Sequence, residues 1–247
     1  MMPDVVVDVG NSRIKWGRCA DNRVTAMVSL PHDDETGWNA QLVTWRIATG
    51  STWALSGTQP AQRERLRAWL QSRKQKSHAL DSHRQLPLAI DVESPDQVGL
   101  DRLLNAVAVN AVRGSGSAAI IIDAGSAITV DYVDPASVFR GGAILPGLRL
   151  MAQALHDYTA KLPLIDRFVF VPLPAKNTED AIRSGIVQAA VGGIDATVQT
   201  LLATTNGAIE LFLGGGDADL LAPHLARSAR VWPEMTLEGI RATVAAS

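Results

Sequence analysis

Only one cysteine, Cys19, occurs in 247 residues. No intrachain disulfide and no cysteine-rich zinc site can form from it. Histidine is also scarce, and His32, His78, His83, His156 and His224 show no metal-ligand spacing. There is no excess of positive charge: 23 Lys and Arg stand against 25 Asp and Glu, a net charge of −2. Generic nucleic-acid binding is therefore not expected. No uncharged apolar run reaches the roughly 18 residues of a membrane helix; the longest, Ala118 to Val130, is broken by Asp123. The stretch Met1 to Gly10 carries Asp4 and Asp8 and no basic n-region, so it does not read as a secretory signal. Neither G-x-x-x-x-G-K-[ST] nor G-x-S-x-G occurs, which removes the P-loop and the nucleophile elbow. What is abundant is apolar surface, 47% of residues against 19% charged. The expectation is a globular, cytoplasmic protein with an extensive core and one or two domains.

Val5-Val6-Val7 is a β-branched run ended by Asp8-Val9-Gly10-Asn11-Ser12, and Ile14 to Cys19 returns as a strand. Strands are expected near Thr52–Ser56, Ala119–Ile122 and Leu211–Leu213. Helices are expected at Gln62–Lys76, Leu103–Val112, Leu148–Ala160 and Glu179–Leu202, and a glycine-proline turn at Gly141–Gly147. Gly114-Ser115-Gly116-Ser117 mimics a dinucleotide fingerprint with Ala119. It precedes a strand instead of following one, so it reads as a boundary.

The second half restarts the first. Ile120-Ile121-Ile122 leads into Asp123-Ala124-Gly125-Ser126 and a returning strand, as Val5-Val6-Val7 leads into Asp8-Val9-Gly10-Asn11; Asp8 and Asp123 lie 115 residues apart. The repeat implies a duplicated α/β lobe, with lobes at 1–115 and 116–247. Two such turns facing each other across a cleft suit a polyphosphate and its cation. Glycine admits backbone N–H groups close to a phosphate, and a carboxylate beside the turn holds a cation or its water. Lys15 adds positive charge at the first turn. Each turn taken alone also reads as an ordinary hairpin with an Asx turn. Gly214-Gly215-Gly216 is either an approach surface for a nucleotide or a plain loop before a helix near Asp217.

Asp101 opens a helix and reads either as its N-cap or as a general base beside Arg102, a bidentate partner for an acidic substrate. Thr178 reads first as the N-cap of the long helix, with an anion site as the alternative. The basic residues Arg63, Arg65, Arg67, Arg73, Lys74 and Lys76 read as a solvated helix face. Trp16, Trp38, Trp45, Trp53 and Trp69 read as packing residues and not as a base-stacking platform.

The ordered set Asp8–Ser12, Gly99-Leu100-Asp101-Arg102 with Asn105-Ala106, Asp123–Asp131, Gly141–Gly147, and Asn177-Thr178 with Ser184-Gly185 resembles type III pantothenate kinase. That family belongs to the acetate kinase/sugar kinase/Hsp70/actin superfamily. The resemblance implies an α/β fold of duplicated actin-like (ribonuclease H-like) lobes, each a mixed sheet with flanking helices. It implies transfer of phosphate from ATP, with Mg2+, to the primary hydroxyl of pantothenate, the first step of coenzyme A synthesis. By resemblance, Asp101 is the proton acceptor. Asp8, Val9, Gly10, Asn11, Ser12, Arg13, Ile14 and Lys15, with Ser126, bind ATP. Gly99, Leu100, Asp101, Arg102 and Thr178 contact pantothenate. Asp123 holds a monovalent cation, K+ or NH4+, and the chain forms a homodimer; neither a membrane nor nucleic acid is an expected partner. Ser126 stands where the family usually has Thr, keeping the hydroxyl. Val92 stands where many members have a substrate-contacting Tyr, three residues before Pro95. Two rivals remain: another kinase or a polyphosphate-directed phosphatase on the same fold, and a catalytically silent regulatory relative of the transcriptional accessory kind. An intact Asp101 argues against the silent one.

Overall fold

The computed structural model describes residues 2–205 and 207–246. They form two compact units. Unit 1 comprises the chain up to Val112 together with the segment from Glu234, and unit 2 runs from Arg113 to Pro233.

Unit 1 is built on a mixed sheet in the order β3-β2-β1-β4-β5, with β1 Val5–Val9, β2 Ile14–Ala20, β3 Arg23–Leu30, β4 Thr52–Gly57 and β5 Lys76–Ala79. β1 is antiparallel to β2 and parallel to β4. Its five residues are all buried, as a central strand covered on both faces requires. Val5, Val7 and Val9 join Trp38 of α1 (Glu35–Thr44) and Leu66, Trp69 and Leu70 of α2 (Pro60–Ser72) in one core. Val6 lies on the opposite face. There Leu237 of α7 (Met235–Ala246) packs beside it, against Gly17 of β2. By strand alternation Asp8 shares that face. The tryptophans are core residues: Trp16 packs edge-on to Trp53 at 4.9 Å, and Trp38 edge-on to Trp69 at 5.3 Å. The basic face of α2 is partly paired at the surface. Arg65 meets Glu35, Arg67 meets Glu64, and Arg73 lies over the Trp69 ring.

α3 (Leu100–Asn110) and α7 cross at very short range. A Cβ on Gly239 would come within 2.0 Å of the Leu104 carbonyl oxygen. At the same crossing the buried Thr236 hydroxyl donates to Asn105 Oδ1 at 2.8 Å. The C-terminal helix therefore belongs to unit 1, whereas the expectation from sequence assigned everything after 115 to the second lobe. No shift in composition marks the return at Glu234, and the close approach at Gly239 is what lets the two helices meet. A two-residue strand, β6 (Ala89–Ile90), lies between β5 and α3 in sequence.

Within unit 2 the strand order is β11-β10-β7-β8-β9, with β7 Ala118–Ala124, β8 Ala127–Val133, β9 Val138–Pro146, β10 Ile209–Gly214 and β11 Arg230–Val231. β7 repeats the pairing of β1: antiparallel to the strand that follows its D-x-G turn, parallel to a later one, β10. This is the duplicated lobe inferred from the sequence, with helices packed on the sheet. The glycine-rich stretch Gly141–Pro146 is part of β9 and not the expected turn. Gly142 is needed in that strand because a Cβ there would strike the Val130 carbonyl.

α4 (Leu148–Asp157) and α5 (Thr178–Ala203) cover one face of the sheet. By length and hydropathy α5 passes as a membrane-spanning helix. In this fold Ile182, Ile186, Ala190, Ile194 and Val198 of α5 instead pack into the core of unit 2.

The crossing of α3 and α7 yields a direct prediction. Gly239→Ala should lower stability by roughly 1–3 kcal/mol in urea unfolding, because a forced backbone shift outweighs the gain in helix propensity. An unchanged midpoint would mean the helices are not in contact there.

Candidate active site

The first D-x-G turn is compact. Gly10 N–H donates to the Arg13 carbonyl at 3.1 Å, and β2 returns with Lys15 opposite Asp8. Asp8 is buried, at 8% exposure, whereas Asn11 and Ser12 are exposed at the tip. Val9 and Ile14 are core residues; their contribution at this turn is backbone. Arg13 is tied back to β3: Nε donates to Ser29 Oγ at 3.0 Å and NH2 to the Ser29 carbonyl at 3.1 Å. Lys15, half-buried, is the cation of this turn that lies opposite the carboxylate.

Asp101 sits in the first turn of α3, and the N-cap is Gly99. The N-cap reading of Asp101 is therefore excluded. Its Oδ1 accepts from Arg102 N–H at 2.9 Å, which fixes the rotamer at the helix start. A Cβ on residue 99 would lie 2.5 Å from that same Oδ1. The glycine of Gly99-Leu100-Asp101-Arg102 thus clears the space that the carboxylate occupies. Its φ of −55° is open to any residue, so clearance and not backbone freedom is the reason for glycine. Val92 is half-buried in the segment leading to this helix.

In unit 2, Asp123 is half-buried near the end of β7, with Ser126 exposed in the turn after it. Two further glycine segments close on this turn. A Cβ on Gly147 would meet the Gly125 and Ser126 carbonyl oxygens at 2.4 Å each, and one on Gly215 the Ala124 carbonyl at 2.3 Å. Asp217 N–H donates to that Ala124 carbonyl at 3.0 Å. Gly214–Gly216 is therefore packed against the second D-x-G turn. Its buried neighbour Asp217 is met by Arg149, whose NH1 lies 3.4 Å from both carboxylate oxygens. Burial pushes the Asp217 carboxyl above the usual carboxylate range, and the guanidinium only partly offsets it.

The second D-x-G turn carries the Asp123 carboxylate and the backbone carbonyls of Ala124, Gly125 and Ser126. Oxygen donors of this kind suit a hard cation such as K+ or Mg2+ and not a thiophilic metal. Among the described residues no group of three or more His, Cys, Asp or Glu side chains is placed to hold a metal ion. Cys19 offers no competing chemistry. Burial, with Glu238 adding to it, pushes its thiol up to about 12.

Thr178 is the first residue of α5 and exposed; its N-cap is Asn177, whose Oδ1 accepts from Asp180 N–H at 2.9 Å. The expectation that Thr178 caps the helix is corrected by one residue, which leaves its hydroxyl outside the cap. It lines an open cavity of about 740 Å³ with Lys161, Pro163 and Arg183. Arg183 bonds Glu179 and Asp180, the two carboxylates of the helix's first turn. Lys161 and Arg149 carried no motif and were missed from sequence; only the fold brings them to these places.

Two mixed α/β units, each with a D-x-G turn after a central strand, define the class: an actin-like ATPase or sugar kinase fold. Solved structures agree. A Campylobacter jejuni protein described as a Baf family transcriptional activator matches with a TM-score of 0.61 at 18% identity, over 98% of both chains. A Sinorhizobium meliloti protein described as a 2-dehydro-3-deoxygalactonokinase matches at 0.59 and 12%, over 98% of this chain and 97% of that one. The family model for type III pantothenate kinase matches residues 5–200. The Alkalilimnicola ehrlichii type III pantothenate kinase is 35% identical over 96% of this chain and 95% of its own. The Synechococcus sp. enzyme of that name is 34% identical over 94% of this chain and 88% of its own. The chain belongs to the type III pantothenate kinase family.

Gly99→Ala isolates the role of the cleared space. Turnover should fall on the order of tenfold to a hundredfold as the Asp101 carboxylate is displaced, with the urea midpoint nearly unchanged. Wild-type turnover would show that the carboxylate needs no such clearance.

Proposed function

We propose that this protein phosphorylates pantothenate to 4′-phosphopantothenate with ATP. The observation that carries the reading is the pairing of Gly99 with Asp101. A carboxylate held at a helix start by its neighbour's N–H, with a glycine keeping its surroundings open, is what a general base requires.

Asp101 accepts the proton of the pantothenate primary hydroxyl as that oxygen attacks the γ-phosphorus; the bond from the γ-phosphorus to the β–γ bridging oxygen breaks, and ADP leaves. Arg102 orients the substrate carboxylate, and Gly99, Leu100 and Thr178 complete the pantothenate contacts. Gly10, Asn11, Ser12 and Lys15 bind phosphate oxygens, with Val9 and Ile14 contributing backbone and Ser126 a hydroxyl. Arg13, held by Ser29, shapes the turn. Asp8 would hold Mg2+ or its water, and Asp123 a monovalent cation, K+ or NH4+; when bound, these ions would neutralise charge on the phosphates. In phosphoryl transfer most of the barrier reduction comes from alignment and charge neutralisation, so the modest contribution expected of a single base is consistent with the design.

A homodimer is part of the same reading. Unit 2 leaves Ile144, Leu150, Tyr158, Leu164, Phe170 and Leu173 exposed, a supply of apolar surface that a second copy would cover. Cytoplasmic location follows from the substrates of the proposed reaction.

The test is product formation from ATP, Mg2+ and pantothenate, with K+, NH4+ and Na+ compared. Phosphopantothenate should form with K+ or NH4+ and fall severalfold in Na+, and Asp123→Ala should abolish that difference. No product under any cation condition would overturn the reading.

A further inference from the structure

The segment leaving β4 touches the first D-x-G turn, although no motif marks it. β4 runs parallel to β1, with Ser56 opposite Asp8 and Gly57 opposite Val9. Beyond the strand, Thr58 N–H donates to the Val9 carbonyl at 3.1 Å. The next residue, Gln59, donates from Nε2 to Asn11 Oδ1 at 2.6 Å. Gln59 occupies the N-cap position of α2, where Ser, Thr, Asp or Asn is preferred, and its side chain makes no capping bond. A residue poorly suited to its helix position therefore uses its carboxamide on the tip of the turn.

The polarity of that bond matters. A primary amide offers an acceptor at one end and two donors at the other. With Oδ1 accepting from Gln59, the donating end of Asn11, Nδ2, is the end left for a ligand. The opposite orientation would turn a carbonyl oxygen toward a phosphate oxygen, two acceptors in repulsion.

We propose that Gln59 is a positioning residue for ATP: its Nε2 donates to Asn11 Oδ1 and thereby fixes the Asn11 amide with its N–H groups toward the phosphates. This inference rests on the reading that the turn binds ATP phosphates. Gln59 acts through Asn11, so its loss should appear in ATP affinity and in KM for ATP, with KM for pantothenate unmoved.

The experiment uses the full chain and a non-hydrolysable ATP analogue, measured by calorimetry beside steady-state kinetics and thermal melting. Gln59→Glu keeps size but reverses polarity: a carboxylate accepts from Asn11 Nδ2 and turns Oδ1 to the phosphate. It should weaken analogue binding about tenfold. Gln59→Ser supplies a better N-cap, so it should melt at the same or a higher temperature yet still raise KM for ATP about threefold. In an Asn11→Ala background, Gln59→Ser should have no further effect on analogue binding. Wild-type analogue affinity in both Gln59 variants, or losses that simply add to that of Asn11→Ala, would overturn the role of Gln59 and leave the phosphate-binding turn standing. Unchanged affinity in Asn11→Ala itself would overturn the reading of the turn, and this inference with it.

Discussion

Where Asp101 can act depends on where α3 is held, and α3 is held by a helix from the far end of the chain. The crossing at Gly239 and Leu104 is a contact of backbone on helix, with no side chain between them. The buried bond from Thr236 to Asn105 adds direction to it, since an orphaned buried amide costs about 1–3 kcal/mol. α7 also packs on β1, the strand that delivers Asp8. One helix thus braces both the strand with the proposed phosphate-binding turn and the helix with the proposed base. The α7 segment contains no catalytic motif, yet it packs on both elements that carry the motifs of unit 1.

Unit 2 solves the same problem with glycine. The turn after β7 is pressed by Gly147 from one segment and Gly215 from another, each at a distance that admits no side chain. Three stretches distant in sequence are locked by main-chain contact, and the Asp217–Arg149 ion pair sits at their edge. Rigidity at such a place suits a site whose chemistry is alignment. A loop free to move by an ångström would forfeit much of the advantage of positioning.

Much of this was legible in the sequence. The two D-x-G turns show because a strand running directly into Asp-x-Gly is a local pattern, and its repeat implies a duplicated lobe. The helix bearing Asp101 also shows, although its residue order could not separate an N-cap from a base; the observed cap, Gly99, removes the first reading and leaves the base as the proposal. Three features were not legible. The return of α7 to unit 1 rests on the close approach at Gly239, the Thr236–Asn105 bond and the packing of Leu237, all carried by an ordinary helical sequence. The stretch Gly141–Pro146 imitates a turn in composition, but its glycine content serves close strand packing. Gln59 belongs to no motif, and its partner Asn11 lies 48 residues away in sequence. In each case the information is a close contact between distant segments, which local pattern does not carry.

The central claim is that Asp101 is a base and not a helix-start residue with an incidental carboxylate. Asp101→Asn preserves size and one acceptor but removes basicity, and measuring analogue affinity and turnover on the same preparation separates the two roles. The account predicts unchanged affinity for the ATP analogue and turnover lower by about two orders of magnitude or more. Turnover near that of the wild type would contradict it.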